Sequence, residues 1–215
     1  MSVPPVVTRD EWLTAREELL RQEKALTRMR DAVSAQRRQL PMVKLDKQYT
    51  FEGSDGPATL LDLFAGRRQL IVRHYMFHPN WDEGCVGCSL QVDNLGHPNH
   101  LNARDTTLVL VSRAPLAKLE AFRKRMDWTV PWFSSFDSDF NQDFHVTNAA
   151  GGESSGLSVF LRDGDEVFHT YSSSSRGGDI LINTYNYLDL TPLGRQEEGL
   201  DYPQQWWRLH DRYTD

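Results

Sequence analysis

Apolar residues recur every seven positions near the start of the chain. Trp12, Leu19, Leu26 and Val33 share one row, with Ala15 and Met29 on an adjacent row. No glycine or proline falls between Arg9 and Arg38, so the spacing predicts one long helix with a narrow apolar stripe. Thr8 and Glu11 form a capping-box pattern at its start. Pro4 and Pro5 keep residues 1–7 extended, and Pro41 ends the helix after Leu40. The stripe is expected to pack on its own chain. Contact with a second copy, giving a homodimer, is the alternative.

Beyond residue 41 the pattern changes. MVKLDKQYTF (42–51) alternates as a half-buried strand does, and Gly53-Ser54-Asp55-Gly56 follows as a turn. Thr59 and Asp62 cap a short helix over LLDLF that stops at Gly66. QLIVRHYMF (69–77) and TTLVLVS (106–112) are β-branched, apolar and central-strand-like, and VPWFSSF (130–136) is a third extended segment. PLAKLEAFRKRM (115–126) reads as a helix opened by Pro115. LSVFLRDGDEVFHTYS (157–172) is a hairpin turned at Asp163-Gly164. TNAAGGESSG (147–156) and SSSSRGG (172–178) read as loops. A last helix is expected over about 179–188, and the tail WWRLHDRY is aromatic enough to pack back. The order strand, helix, strand, helix, extended segment, hairpin, helix predicts an α/β domain with a mixed central sheet and helices on both faces. Residues 1–40 form the tail and long helix, and 41–215 the domain, as one structural unit.

Composition narrows the function classes. Across 215 residues the hydrophobic fraction is 39% and the aromatic fraction 11% with six tryptophans, enough ring area for a core. The net charge of −6 repels phosphate backbones, so nucleic acid is not an expected partner. Residues 9–38 carry eight Lys/Arg against six Asp/Glu, an interleaving that reads as a solvated helix face rather than a membrane-binding one. No run approaches a membrane span of about 20 apolar residues. MSVPPVVTRDEW lacks the pattern of a secretory signal, which predicts a soluble cytoplasmic protein. In that compartment two cysteines three apart point to redox or metal chemistry rather than a structural disulfide.

Those cysteines stand in Gly84-Cys85-Val86-Gly87-Cys88, between a strong strand and a helix. A sulfur at a helix N-terminus faces unpaired N–H groups that stabilise its thiolate. Cys85 is therefore the candidate nucleophile, and Cys88, one turn on, the residue that resolves a mixed disulfide. Asp82 and Glu83 oppose thiolate formation. Arg73 or His74 helps only by facing the site. Trp81, His78 and Asp82 are candidate binding residues beside the pair, and His145 is another loop histidine that could face it. His74 and His169 lie in strands and read as hydrogen-bonded structural residues. No cofactor is expected in this reading. A rival reading joins Cys85 and Cys88 to His97 and His100 as a tetrahedral zinc set. The intervening helix would carry the histidines roughly 13 Å along its axis from the cysteines. A third reading keeps the pair as two inert thiols of a non-catalytic binding module.

The stretches VTRDEWLTAREELL, LFAGRRQLIVRHYMFHPNWDEGCVGCS, LVLVSRAPLAKLEAFRKRMDW, FSSFDSDFNQDF and SVFLRDGDEVFHTYS resemble a bacterial family known only as a domain of unknown function, the one numbered eight-nine-nine. The resemblance spans nearly the whole chain. It implies a thioredoxin-like fold with the cysteine pair at the redox position, and no substrate; the exchange chemistry read from the pair itself would take a thiol or disulfide substrate and an external thiol donor. More distantly the chain is similar to peroxiredoxins. Where they carry Pro-x-x-x-Thr-x-x-Cys, this chain has Pro79 six before Cys85 and Asp82 in the threonine position. Ser155 stands where they place an arginine before the hairpin. Without those groups to bind a peroxide, fast peroxide reduction is not expected. Gly156-Leu157-Ser158 also lacks the proline that thioredoxins place before the matching strand.

Overall fold

The computed structural model describes residues 3–214; residues 1–2 and 215, and with them the start of the expected extended tail, lie outside the described residues. The elements are α1 (Arg9–Arg37), β1 (Val43–Lys44), β2 (Thr50–Gly53), β3 (Gly56–Thr59), β4 (Gln69–His74), α2 (Val86–Asp93), α3 (Asn99–Asn102), β5 (Thr106–Ser112), α4 (Leu116–Arg125), β6 (Trp132–Ser134), α5 (Phe140–Asp143), β7 (Gly156–Asp163), β8 (Glu166–Ser174) and α6 (Asn183–Leu188). Eight strands form one mixed sheet in the order β1-β8-β7-β4-β5-β6-β2-β3. β4 runs parallel to β5 and β5 to β6, while β7 lies antiparallel on the other side of β4. The unit β4–α2–β5, the hairpin β7–β8 beside β4 and the resulting order β8-β7-β4-β5 make the fold thioredoxin-like.

Side chains alternate across a strand, so the two central strands feed two cores. Leu70 and Val72 with Val109 and Val111 face one side, where Phe51, Phe64, Phe140 and Phe160 cover them. Leu110, Tyr75, Phe77 and Trp132 face the other, beneath Cys88 and Val92 of α2 and Leu119 and Phe122 of α4. Leu90, Ile182 and Tyr185, with Trp206 and Trp207, join α6 and the aromatic tail to the outer side of α2. The tail thus packs back as its sequence suggests.

Four expectations change. The stripe on α1 does not pack on its own domain: no residue of α1 is buried, and Trp12, Leu19, Leu26, Met29 and Val33 stay 40–63% exposed. Both sheet faces are already covered, and α1 touches the body at its last turn, where the Arg37 guanidinium lies 5.0 Å above the Tyr171 ring. The helix stands on its capping box and on ion pairs such as Arg16–Glu23 at 2.8 Å. Residues 42–51 are not one strand but two. β1 pairs with β8 at one edge, β2 pairs with β6 near the opposite one, and the link between them carries buried Tyr49 across the first core. Lys47 anchors that link to Asp139 at 2.9 Å and Asp143 at 2.7 Å. The serine run is strand as far as Ser174, because Ser172, Ser173 and Ser174 complete the ladder against β7. Its backbone pairs whatever the side chains are, which a polar sequence hides. The hairpin turn falls one residue later than expected, at Gly164-Asp165, with Gly164 supplying φ +60°. Among the described residues, no helix is long and apolar enough to cross a membrane.

Candidate active site

After His74 the chain stays extended: Tyr75 N–H donates to Val111 O at 3.0 Å, and Ser112 Oγ donates to Tyr75 O at 2.7 Å. This drives Tyr75 and Phe77 into the core beneath α2. The chain then loops through His78–Trp81 and returns so that Cys85 N–H donates to Met76 O at 3.1 Å. Lys118 of α4 holds the loop, its Nζ donating to Pro79 O at 2.7 Å and Trp81 O at 3.0 Å.

Cys85 is the N-cap residue of α2, extended at φ −60° and ψ 128°, and Val86 is the first helical residue. Its carbonyl accepts from Ser89 N–H at 2.9 Å, from Ser89 Oγ at 3.0 Å and from Tyr75 OH at 3.3 Å. Tyr75 OH and Ser89 Oγ share a further hydrogen bond of 2.7 Å. The turn bearing the nucleophile candidate is thus bolted to the core from below. Two glycines make the arrangement possible. A Cβ at Gly84 would lie 2.2 Å from Tyr75 Oη, and one at Gly87 would lie 2.6 Å from the Trp207 ring. Neither Tyr75 nor Trp207 stands out in the sequence as part of the site.

Both cysteines are free, Cys85 partly exposed and Cys88 buried. Their acidities are driven apart. The Cys88 thiol donates to the Cys85 sulfur and brings its pKa down to about 6, against the opposing cost of burial. The N–H groups of Cys88 and Gly87 face the same sulfur and add to the effect, although neither closes a full capping hydrogen bond. Cys88 moves the other way, well above its ordinary value, because its proton is held by Cys85 and because it is buried. Arg73, on the α2 face of β4, favours the Cys88 thiolate without reversing that.

The acids before Cys85 do not offset this. Glu83 is paired with Arg125 at 2.6 Å and also with Arg212, and Asp82 is exposed to solvent. Trp81 and His78 lie next to each other in the loop, ring centroids 6.1 Å apart, with His78 Nδ1 accepting from Asn80 N–H at 3.1 Å. None of Trp81, His78 and Asp82 supplies a hydrogen bond to either sulfur. His74 faces the opposite side of the sheet, stacked near Phe144 and bonded to Ser158 Oγ at 2.8 Å, and burial holds its pKa down at about 3. His169 bonds to Ser172 Oγ at 2.8 Å. Both are structural, as their strand positions suggest.

The zinc set does not assemble. His97 and His100 lie beyond the C-terminal end of α2 with ring centroids 6.3 Å apart, whereas the cysteines sit at its N-terminal end. Among the described residues, no three His, Cys, Asp or Glu side chains gather as a metal ion would require.

Comparison with known proteins gives three structural likenesses of low identity. Peroxidoxin BcpB of Mycobacterium tuberculosis superposes with a TM-score of 0.48 and 15% identity over 69% of this chain and 97% of its own. A cysteine-to-serine mutant of PrxQ of Xylella fastidiosa gives 0.46 and 14% over 69% and 94%. The mitochondrial 2-Cys peroxiredoxin of Plasmodium falciparum gives 0.44 and 10% over 69% and 94%. The thioredoxin-like assignment rests on the strand order rather than on these overlaps. No curated protein matches the sequence. Residues 1–213 match the profile described as bacterial protein of unknown function (DUF899), and the chain belongs to that family.

Proposed function

We propose that this protein is a thiol–disulfide oxidoreductase. The observation that carries the proposal is the placement of two free thiols at one helix start, Cys85 at the N-cap of α2 and partly exposed, Cys88 one turn on and buried, and their opposed acidity supports it. At neutral pH Cys85 is the thiolate and therefore the nucleophile. It attacks a substrate disulfide, forming a mixed disulfide and releasing one substrate thiolate. Cys88 keeps its proton until that step. Once the Cys85 sulfur is bonded, its negative charge no longer opposes ionisation of Cys88. The Cys88 thiolate then attacks the Cys85 sulfur, closes the intramolecular disulfide and releases the second substrate thiol. Two electrons from an external thiol donor restore the dithiol. The donor is a low-molecular-weight thiol or a thioredoxin. Buried Tyr75 and Ser89 hold the Cys85 turn in place through these exchanges.

Disulfide exchange is favoured over peroxide reduction because Asp82 and Ser155 stand where threonine and arginine would bind a peroxide. The test is alkylation mass spectrometry of protein equilibrated at graded redox potentials. One reversible Cys85–Cys88 disulfide is expected, and Cys88→Ala should accumulate mixed disulfide at Cys85. A pair that never closes reversibly refutes the proposal.

A further inference from the structure

Arg73 is a buried cation without a carboxylate partner; the charge partner it has is the Cys88 sulfur, which keeps its proton in the resting pair. The arginine is 5% exposed, its Nε has no hydrogen-bond partner, and among the described residues no carboxylate forms an ion pair with it. A central strand is a costly place for such a group, since a buried charge loses its hydration and is strongly disfavoured unless a partner replaces it. The guanidinium opens onto a cavity of about 300 Å³ on the α2 face of the sheet, between β4, β7 and β8 and the 3-10 segment Ser175–Leu181. Among the described residues, no acidic side chain lines that cavity.

The polar groups of the cavity converge. Gln91 of α2 contributes its amide: Nε2 is the atom that can donate to an anion, while the buried Oε1 is an acceptor without a partner. Arg73 Nη2 and Gln91 Nε2 each lie 3.8 Å from the position a Cβ would take on Gly178, so two donors meet beside a residue that leaves them room. Arg37 brings a second guanidinium to the cavity from the end of α1. The sheet wall beside Arg73 is apolar, formed by Ile71, Leu157 and Val159 on the same face.

From this geometry we infer that the cavity binds a small organic carboxylate, its head group on Arg73 and Gln91 and its apolar body against Ile71, Leu157 and Val159. A planar carboxylate matches the fork of a guanidinium through paired hydrogen bonds. One buried cation calls for a monoanion. The mixed lining is that of a ligand site, a few placed polar groups in an apolar cleft, at the small end of the usual size range. The cavity adjoins the sulfur site, since Arg73 also favours the Cys88 thiolate, but the inference rests on the cavity and its lining, so a binding titration tests it apart from the thiol exchange.

The experiment is isothermal titration of the intact chain with hexanoate, hexanol and inorganic phosphate. Hexanoate should saturate one site per chain, while hexanol, with the same body and no charge, should bind at least tenfold more weakly. Arg73→Met should weaken hexanoate at least tenfold and, without ligand, should melt at or above the wild-type temperature because it removes an unpaired charge. Arg73→Lys keeps the charge and loses the fork, so several-fold weaker binding is expected of it, which keeps the test open should the methionine variant not fold. Arg176→Ala, whose side chain is 83% exposed and pairs with Asp179 at 3.0 Å, should bind as wild type. Hexanoate that fails to saturate at tens of millimolar, phosphate binding as tightly as hexanoate, or Arg73 variants that bind unchanged would each overturn the assignment.

Discussion

Cys88→Ala separates the two sources of Cys85 acidity. The substitution deletes the thiol whose proton the Cys85 sulfur accepts, the largest contribution to its pKa of about 6. It leaves the N–H groups at the helix start in place. A hydrogen bond to a charged group is worth about 1.5–3 kcal/mol, and about 1.36 kcal/mol moves a pKa by one. The midpoint of Cys85 should therefore rise to roughly 7–8 in Cys88→Ala. Cys88→Ser keeps a donor and should stay within about one pH unit of wild type. The assay is the rate of iodoacetamide alkylation at Cys85 between pH 4 and 10, read by intact mass. The same shift acts on stability. Native Cys85 ionises below its ordinary 9.0, so its contribution is complete above that value and is lost as pH falls through about 6. The reduced protein should gain up to about 4 kcal/mol across that window, and Cys85→Ala should flatten the rise. Cys88, shifted upward, opposes this only above its own ordinary value of 9.0. A wild-type alkylation midpoint near 9, or a Cys88→Ala midpoint equal to wild type, would refute the account.

Four other substitutions probe the fold and the frame around the pair. Gly87→Val places a side chain where the Trp207 ring lies. It should cost about 1–3 kcal/mol in denaturant unfolding by overpacking, with part of the loss recovered in Gly87→Val/Trp207→Ala, and an additive double variant would show that the two do not touch. Leu26→Ala in the exposed stripe of α1 should change stability by less than about 0.5 kcal/mol, whereas Leu119→Ala in the α4 core should cost about 2–5 kcal/mol. Equal losses would place α1 inside the folding unit. Glu83→Gln should leave the alkylation midpoint of Cys85 where it is, since Arg125 and Arg212 already neutralise that carboxylate, and a midpoint that falls by one pH unit would show that the carboxylate acts on the sulfur.

What the sequence discloses follows what each feature depends on. Strands β4 and β5 are legible because burial on both faces demands a continuous apolar run, and TTLVLVS matches β5 residue for residue. The cysteines are legible because the helix they open comes straight after such a strand. Ser172–Ser174 is hidden, because a ladder uses backbone groups that serine and valine share. The link 45–49 is hidden too: alternation shows which residues turn inward, not which edge of an eight-stranded sheet they reach. Tyr75 and Trp207 escape for a different reason. Each meets the site through a glycine, and the missing side chain that makes the contact possible leaves no pattern of its own.

Arg73 shows how a run can be read correctly and still mislead. In QLIVRHYMF the arginine and histidine interrupt an apolar strand, and both look like exceptions to burial. The alternation of the strand assigns them opposite fates. His74 turns to the first core, where Nε2 of the neutral imidazole bonds to Ser158 Oγ, Nδ1 has no partner, and the ring packs against Phe140 and Phe144. A histidine can meet burial by giving up its proton, and this one does. Arginine cannot, because its guanidinium stays protonated at any pH at which the protein folds. Turned to the α2 face without an acidic neighbour, Arg73 keeps its charge in a place that disfavours it. The two adjacent residues therefore differ in what they require: the histidine sheds its charge and leaves only an unpaired neutral Nδ1, whereas the arginine keeps its charge and calls for an anion.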